Sequence, residues 1–146
     1  MRLNLQSDYA LRMLMQLSVA HGVLVTIADV ADRYDISRNH LMKVANTLVQ
    51  AGFIESVRGR NGGLRLGRPA EEIVLADVVR WTENDFAVVE CMQANGGGCA
   101  ITPACRLRKI LYEASNAFLG VLGQYTLADL VTGNTELRTL LIGDAA

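Results

Sequence analysis

Several things are scarce in these 146 residues. Phe, Tyr and Trp number 3, 4 and 1, so a core has to be built from Leu, Val, Ile, Met and Ala rather than from large rings. Lys and Arg total 14 against 15 Asp and Glu, so overall charge points to no polyanionic partner. No apolar run reaches 18 residues, which argues against a membrane-spanning helix. The 3 Cys are an odd number and cannot all close in intrachain disulfides. The first twenty residues are apolar enough to suggest a secretory leader, but Asp8, Arg12 and Gln16 interrupt them at near-helical spacing, which suits an amphipathic helix instead. What remains is a chain that is 51% hydrophobic and 20% charged, a folding composition of a length for one core with an arm. The expected compartment is the cytoplasm.

The charge is neutral in sum yet divided along the chain. Residues 1–70 carry nine cations (Arg2, Arg12, Arg33, Arg38, Lys43, Arg58, Arg60, Arg65, Arg68) and five acids, whereas residues 71–146 carry five and ten. A basic half beside an acidic half suits one surface for a polyanion, although ordinary solvated faces produce such a difference too.

Hydrophobic periodicity organises the basic half. Ala10, Met13, Leu14 and Leu17 fall at i, i+3, i+4 and i+7 and predict a helix from about Ser7 to His21, with Ser7 as its N-cap and Gly22 ending it. Thr26 is placed to cap a short helix over Ile27 to Tyr34. After the tight Asp35-Ile36-Ser37 connection, Ser37 opens a third helix with Leu41, Val44, Ala45 and Leu48 on its apolar face and Gly52 as its stop. This order describes a helix-turn-helix. Two short strands follow, Phe53 to Val57 and Leu64 to Leu66, joined by Arg58-Gly59-Arg60-Asn61-Gly62-Gly63. A Gly-rich hairpin with arginines at its tip, directly after a recognition helix, is the wing of a winged helix. Pro69 closes the unit. Ser37, Arg38, Asn39, His40 and Lys43 are then the residues that face base edges in a major groove, because Arg and Asn each offer two bonds to guanine or adenine. Arg58, Arg60 and Asn61 reach phosphate or a minor groove. The alternative is an exposed polar helix face beside a solvated loop.

The acidic half reads as a helix over Leu75 to Thr82, a loop over Phe86 to Ala104 centred on Gly96-Gly97-Gly98, and a long helix over Arg106 to Gln124. Leu107, Leu111, Ala114, Phe118, Val121 and Tyr125 recur at heptad steps along it, the pattern of a helix packed lengthwise on a partner or on its own domain. The tail after Leu130 carries no signal. The expected fold is mainly α with a small β-hairpin: a winged helix-turn-helix over 1–69, a linking helix and cysteine loop over 70–105, and a long helix with its tail over 106–146.

Cys91, Cys99 and Cys105 lie in that loop with seven and five residues between them. No C-x2-C pair is present, and neither His21 nor His40 is nearby, so a structural zinc site is poorly supported. No base and orienting partner accompany the thiols, so no catalytic centre is recognisable and an enzyme is not expected. Three inert thiols, a redox-active thiol set, and thiolate ligands wrapping an iron-sulfur cluster stay open on spacing alone.

Longer motifs narrow this. The runs from Tyr34 to Lys43, Ala51-Gly52-Phe53 and Val57 to Gly67 resemble the Rrf2 family of winged-helix regulators. Asp8-Tyr9-Ala10-Leu11-Arg12, Ile101 to Leu107 and Tyr125 to Leu130 are similar to its nitric-oxide-sensitive repressor branch, and the likeness runs from residue 1 to about 131. The resemblance implies a homodimeric repressor on an inverted-repeat operator in double-stranded DNA. It also implies an iron-sulfur cluster on Cys91, Cys99 and Cys105, release of DNA when nitric oxide attacks that cluster, and nitric-oxide detoxification and repair genes as targets. The family's iron-sulfur-assembly regulators carry a His three residues after the last Cys, and here that place is Arg108, which argues against that branch. A 4Fe-4S cluster is favoured over 2Fe-2S. Its fourth ligand is assigned to Asp8, inside the motif that marks the branch, ahead of Asp85 and Glu90; the competing role for Asp8 is to stabilise a helix dipole. The alternatives are a regulator of the same family responding to iron or oxidative status, and a redox thiol protein without DNA function.

Overall fold

The computed structural model describes residues 2–143. Seven helices and one hairpin follow in order: α1 (Leu5–Val19), α2 (Ile27–Tyr34), α3 (Arg38–Gln50), β1 (Ile54–Val57), β2 (Gly63–Leu66), α4 (Leu75–Thr82), α5 (Arg106–Leu122), α6 (Leu127–Val131) and α7 (Thr135–Ile142). The expected mainly α fold with one small antiparallel hairpin is what forms.

The apolar faces read from spacing are the ones that meet. Ala10, Met13 and Leu14 on α1 are wholly buried and Leu17 nearly so, and they pack with Leu41, Val44, Ala45 and Leu48 of α3 in one cluster. Each large aliphatic side chain withdrawn there contributes roughly 1.5–3 kcal/mol. Val30 and Ala31 of α2 close the same core, so the helix-turn-helix is a unit built around α1. Strands β1 and β2 pair Ile54 with Leu66 and Ser56 with Leu64, which turns Ile54 and Leu64 inward while Glu55 and Arg65 meet outside. Val25, in the connection before α2, adds a further bridge to Leu64, donating at 3.0 Å and accepting at 2.7 Å. The wing is thereby sewn to the helices rather than left as a free hairpin.

Helix ends show where the sequence pattern misled. The first helix starts two residues before Ser7, and its N-cap is Asn4, whose Oδ1 accepts from the Ser7 N–H at 2.8 Å. Ser7 is fully buried and turns its hydroxyl elsewhere, onto Glu83 Oε1 at 2.6 Å and within 2.7 Å of the Thr82 hydroxyl. Polar bonding to a distant helix decided the matter over local cap preference. Val19, not His21, ends the helix, and His21 and Gly22 turn the chain in the left-handed region. Beyond residue 130, where the sequence carries no signal, α7 forms with Asn134 as its cap, accepting from the Leu137 N–H at 3.0 Å.

The start of α2 is a complete capping box. Thr26 Oγ1 accepts from the Asp29 N–H at 3.1 Å, and Asp29 Oδ2 accepts from the Thr26 N–H at 2.8 Å and its hydroxyl at 2.7 Å. These bonds, the backbone one foremost, hold the Asp29 carboxyl below its ordinary value of 3.8. A carboxyl so lowered contributes stability that is present above the unfolded value and is lost as pH falls through the folded one. Thr26→Ala is therefore expected to cost about 1 kcal/mol at neutral pH in denaturant unfolding. Its deficit should narrow below pH 3.8; a deficit constant with pH would contradict the assignment.

Candidate nucleic-acid interface and cysteine loop

Ser37, Arg38, Asn39, His40 and Lys43 all stand exposed at the start of α3. Ser37 is the N-cap residue by position, but its side chain makes no capping bond. Helix α1 sets the height of this face from below: Gln6 Nε2 donates to Thr47 Oγ1 at 2.8 Å, and the Tyr9 and His40 rings lie 6.3 Å apart. Arg38 comes within 4.0 Å of Asp32, and both side chains remain largely in solvent. So loose a surface pair is worth little and leaves the guanidinium available.

Arg58, Arg60 and Asn61 are exposed at the tip of the hairpin. Among the described residues, Lys43, Arg58 and Arg60 have no carboxylate within ion-pair range. Arg65 and Arg68 are different. Arg65 is spent across the sheet on Glu55, with Nε donating at 3.0 Å. Arg68 donates to the Gly52 and Ala51 carbonyls at 3.1 and 2.9 Å and lies 4.9 Å over the Phe53 ring. It closes the end of α3, a role that spacing along the chain did not reveal. The basic half thus divides into cations that hold the fold and cations that face outward.

The cysteines lie on the least supported stretch of the chain. No residue from 83 to 114 is buried. Cys91 and Cys105 are partly exposed, Cys99 is exposed, and all three are free thiols. Two single helical turns, Glu90–Met92 and Thr102–Ala104, interrupt the expected loop. Cys105 is the N-cap residue of α5, and Arg108 one turn on donates from Nε to the Cys91 carbonyl at 3.1 Å. The first and last cysteines are thus connected through the beginning of one helix. A groove of about 400 Å³ beside Cys105 is lined by Met92, Thr102, Arg108, Lys109 and Tyr112. It offers soft sulfur, two cations and a buried Thr102 hydroxyl without a partner, a donor set that fits a sulfur-ligated, negatively charged group. Among the described residues no three His, Cys, Asp or Glu side chains are gathered at metal-ligating range.

Asp8 sits in the first turn of α1, where Arg12 one turn on grips both its oxygens, Nε to Oδ1 at 2.9 Å and the terminal nitrogen to Oδ2 at 2.8 Å. That bond chiefly raises the Arg12 guanidinium further above its ordinary range. Asp8 and the three cysteines do not form one ligand group within a single chain. Glu90 is exposed in the cysteine loop, and Asp85 receives the Ala87 N–H at 2.9 Å.

The heptad positions of α5 separate into two faces. Leu111 and Phe118 are half-buried beside Ser115 and Leu119, which turn inward, while Leu107, Ala114 and Val121 stand in solvent; the helix ends at Leu122 rather than Gln124, so Tyr125, also exposed, follows it instead of extending its seam. Leu107 and Val121 are 60% and 55% exposed, and Ile110 between them is 58% exposed. The chain's own core does not cover this seam.

The chain is similar to known proteins over nearly its whole length. The profile of the Rrf2 family, described as iron-dependent transcriptional regulator, matches residues 3–133. The HTH-type transcriptional regulator NsrR of Bacillus subtilis is 47% identical over 142 residues, covering 97% of each chain. Its counterpart in Bacillus licheniformis is 45% identical, covering 97% of this chain and 99% of that one. Among solved structures, CymR, the global cysteine regulator of B. subtilis, superposes with a TM-score of 0.72 at 26% identity, over 90% of this chain and 97% of that one.

The hairpin geometry makes a prediction of its own. A Cβ at Gly62 would sit 2.2 Å from the Val57 carbonyl oxygen, whereas one at Gly98 meets nothing within 4 Å. Gly62→Ala is expected to cost about 1–3 kcal/mol in thermal or denaturant unfolding, and Gly98→Ala to stay within about 0.5 kcal/mol of the parent. Equal stability of the two variants would show that the turn does not need its glycine.

Proposed function

The chain belongs to the Rrf2 family of transcriptional regulators, and from that membership we propose that it is a homodimeric repressor that reports nitric oxide to operator DNA through its cysteine loop. The observation that carries the sensory part is the coincidence of all three cysteines with the one long stretch, 83 to 114, that has no buried residue. A segment without a core needs another source of order, and three convergent thiolates supply it.

Cys91, Cys99 and Cys105 are assigned to hold an iron-sulfur cluster, 4Fe-4S in preference to 2Fe-2S, which when bound supplies the iron that nitric oxide attacks. Asp8 is assigned as the fourth ligand. To serve, its carboxylate must exchange Arg12 for iron, and a weaker oxygen ligand would keep that position open. The rest is the work of this chain's own side chains. Cys91 and Cys105, drawn together, fix the loop against the first turn of α5. The exposed seam of Leu107, Ala114 and Val121 packs against the same seam of a second copy, so the orientation of α5 sets the distance between two α3 helices. Arg38, Asn39, His40 and Lys43 then read base edges in the two halves of an inverted repeat, while Arg58, Arg60 and Asn61 hold the backbone. With the thiols released, the side-chain bonds left between α5 and the loop among the described residues are Arg108 to the Cys91 carbonyl at 3.1 Å and Ser115 to the Phe86 carbonyl at 3.4 Å, and the two heads lose operator spacing. This is an order–disorder switch.

Two experiments test the assignment. Alanine at Cys91, Cys99 or Cys105 should each abolish the visible absorption of anaerobically purified protein, and Asp8→Ala should leave a labile or spectrally altered chromophore. Full colour in all three cysteine variants would refute the cluster, and an unchanged Asp8→Ala spectrum would return that residue to its pairing with Arg12. On operator DNA, Arg38→Ala should cost about 1–3 kcal/mol and relax one base position, whereas Arg60→Ala should weaken binding evenly and reduce the salt dependence. Parental affinity in Arg38→Ala would mean that another face of α3 reads the bases.

A further inference from the structure

Thr102 is one of two residues, with Gln16, whose side chains have a buried oxygen and no hydrogen-bond partner among the described residues. Its backbone is fully engaged with the cysteines on either side. The Thr102 N–H donates to the Cys99 carbonyl at 3.1 Å, and its own carbonyl accepts from the Cys105 N–H at 3.3 Å. Both main-chain groups are therefore committed, and the hydroxyl alone lacks an acceptor. Thr102 is among the residues that line the groove with Cys105, Arg108 and Lys109, its hydroxyl oxygen lies buried there, and no carboxylate lines that groove.

The charge there is unusual for a helix start. The first turn of α5 contains no acid and begins Arg106, Leu107, Arg108, Lys109. Cations at the positive end of a helix dipole are unfavourable, and an anion seated at Cys105 offsets them. An orphaned donor, adjacent cations and no protein acceptor describe the complement of a negatively charged acceptor. Sulfur held by the neighbouring thiols has that character, and a hydroxyl oxygen is too hard to compete with thiolate as an iron ligand.

We propose that Thr102 donates a hydrogen bond from its hydroxyl to a sulfur atom of the group held by the three cysteines, as a positioning residue rather than a ligand. The inference rests on the cluster reading above. Hydrogen bonds to cluster sulfurs favour the reduced, more negative state and so raise the reduction potential. The backbone bonds from Thr102 to Cys99 and Cys105 keep the hydroxyl in register with both.

The test uses the full chain, purified anaerobically, with Thr102→Val to delete the O–H at nearly constant shape and Thr102→Ser to keep it. The valine protein should show a more negative midpoint potential than the parent in a mediated redox titration, and should lose its visible absorption to excess EDTA several-fold faster. Serine should restore both values. Its thermal unfolding without iron should match the parent, because the hydroxyl has no protein partner to lose. A valine variant with parental potential and parental loss rate would overturn the proposal, as expected if the hydroxyl only serves a water. Reduced stability without iron would overturn it too, by revealing a structural role. A colourless parent would refute the cluster reading and this inference together, whereas a coloured parent insensitive to valine would refute this inference alone.

Discussion

One carboxylate oxygen joins the two halves of the chain. Glu83 Oε1 accepts from the Asn4 N–H at 2.9 Å and from the Ser7 hydroxyl at 2.6 Å, while Asn4 Nδ2 donates to the Thr82 carbonyl at 2.9 Å. Asn4 caps α1, the helix around which the DNA-facing head is built, and Thr82 and Glu83 end α4, the last supported element before the cysteines. Bonds to an ionised acceptor are each worth about 1.5–3 kcal/mol, and these span nearly eighty residues of sequence. The start of α1 and the start of the cysteine loop therefore cannot move independently.

On either side of that junction the chain is constructed differently. The head has an aliphatic core that continues into Ile73, Val78 and Leu127 of the second half, and its wing is sewn to Val25. The loop has no buried side chain from 83 to 114, so its order has to come from its own chemistry. Low intrinsic order is what a switching element requires, because a small change at its ligands can release a segment that packing does not retain. The same stretch leads into α5, whose Leu107, Ile110 and Val121 stand exposed. On the function proposed above, sensing, dimer geometry and operator spacing lie in mechanical series from the cysteine loop into α5.

Much of this was legible in the residues. The i, i+3, i+4, i+7 face of α3 is its buried side residue for residue, and that of α1 is buried as expected, with Ser7, Gln16, Ser18 and Val19 buried besides; the bounds of α2 and α4 matched, and the Gly-rich hairpin appeared where its turn residues put it. Such features are local: a helix period or a turn preference is written in neighbouring residues. What could not be read were bonds between distant positions. Ser7 has the identity of a cap but bonds to Thr82 and Glu83. Arg68 has the identity of a DNA contact but closes α3. Asp8, a candidate ligand, has both oxygens on Arg12. In each case a partner far along the chain, or one turn along a helix, fixes what the side chain does, and residue type alone does not name that partner. The cysteine loop is the intermediate case: its composition was visible, while its two short turns and the backbone bonds of Thr102 to Cys99 and Cys105 belong to folding.

The central claim is that the thiol loop governs the grip on DNA, and the most direct measurement is operator affinity. The anaerobically purified full chain would be titrated onto its operator by fluorescence anisotropy before and after stoichiometric nitric oxide, with Cys105→Ala as the control. The account predicts weaker binding after exposure and no response in the control. Equal affinity before and after, with the visible spectrum plainly changed, would contradict it.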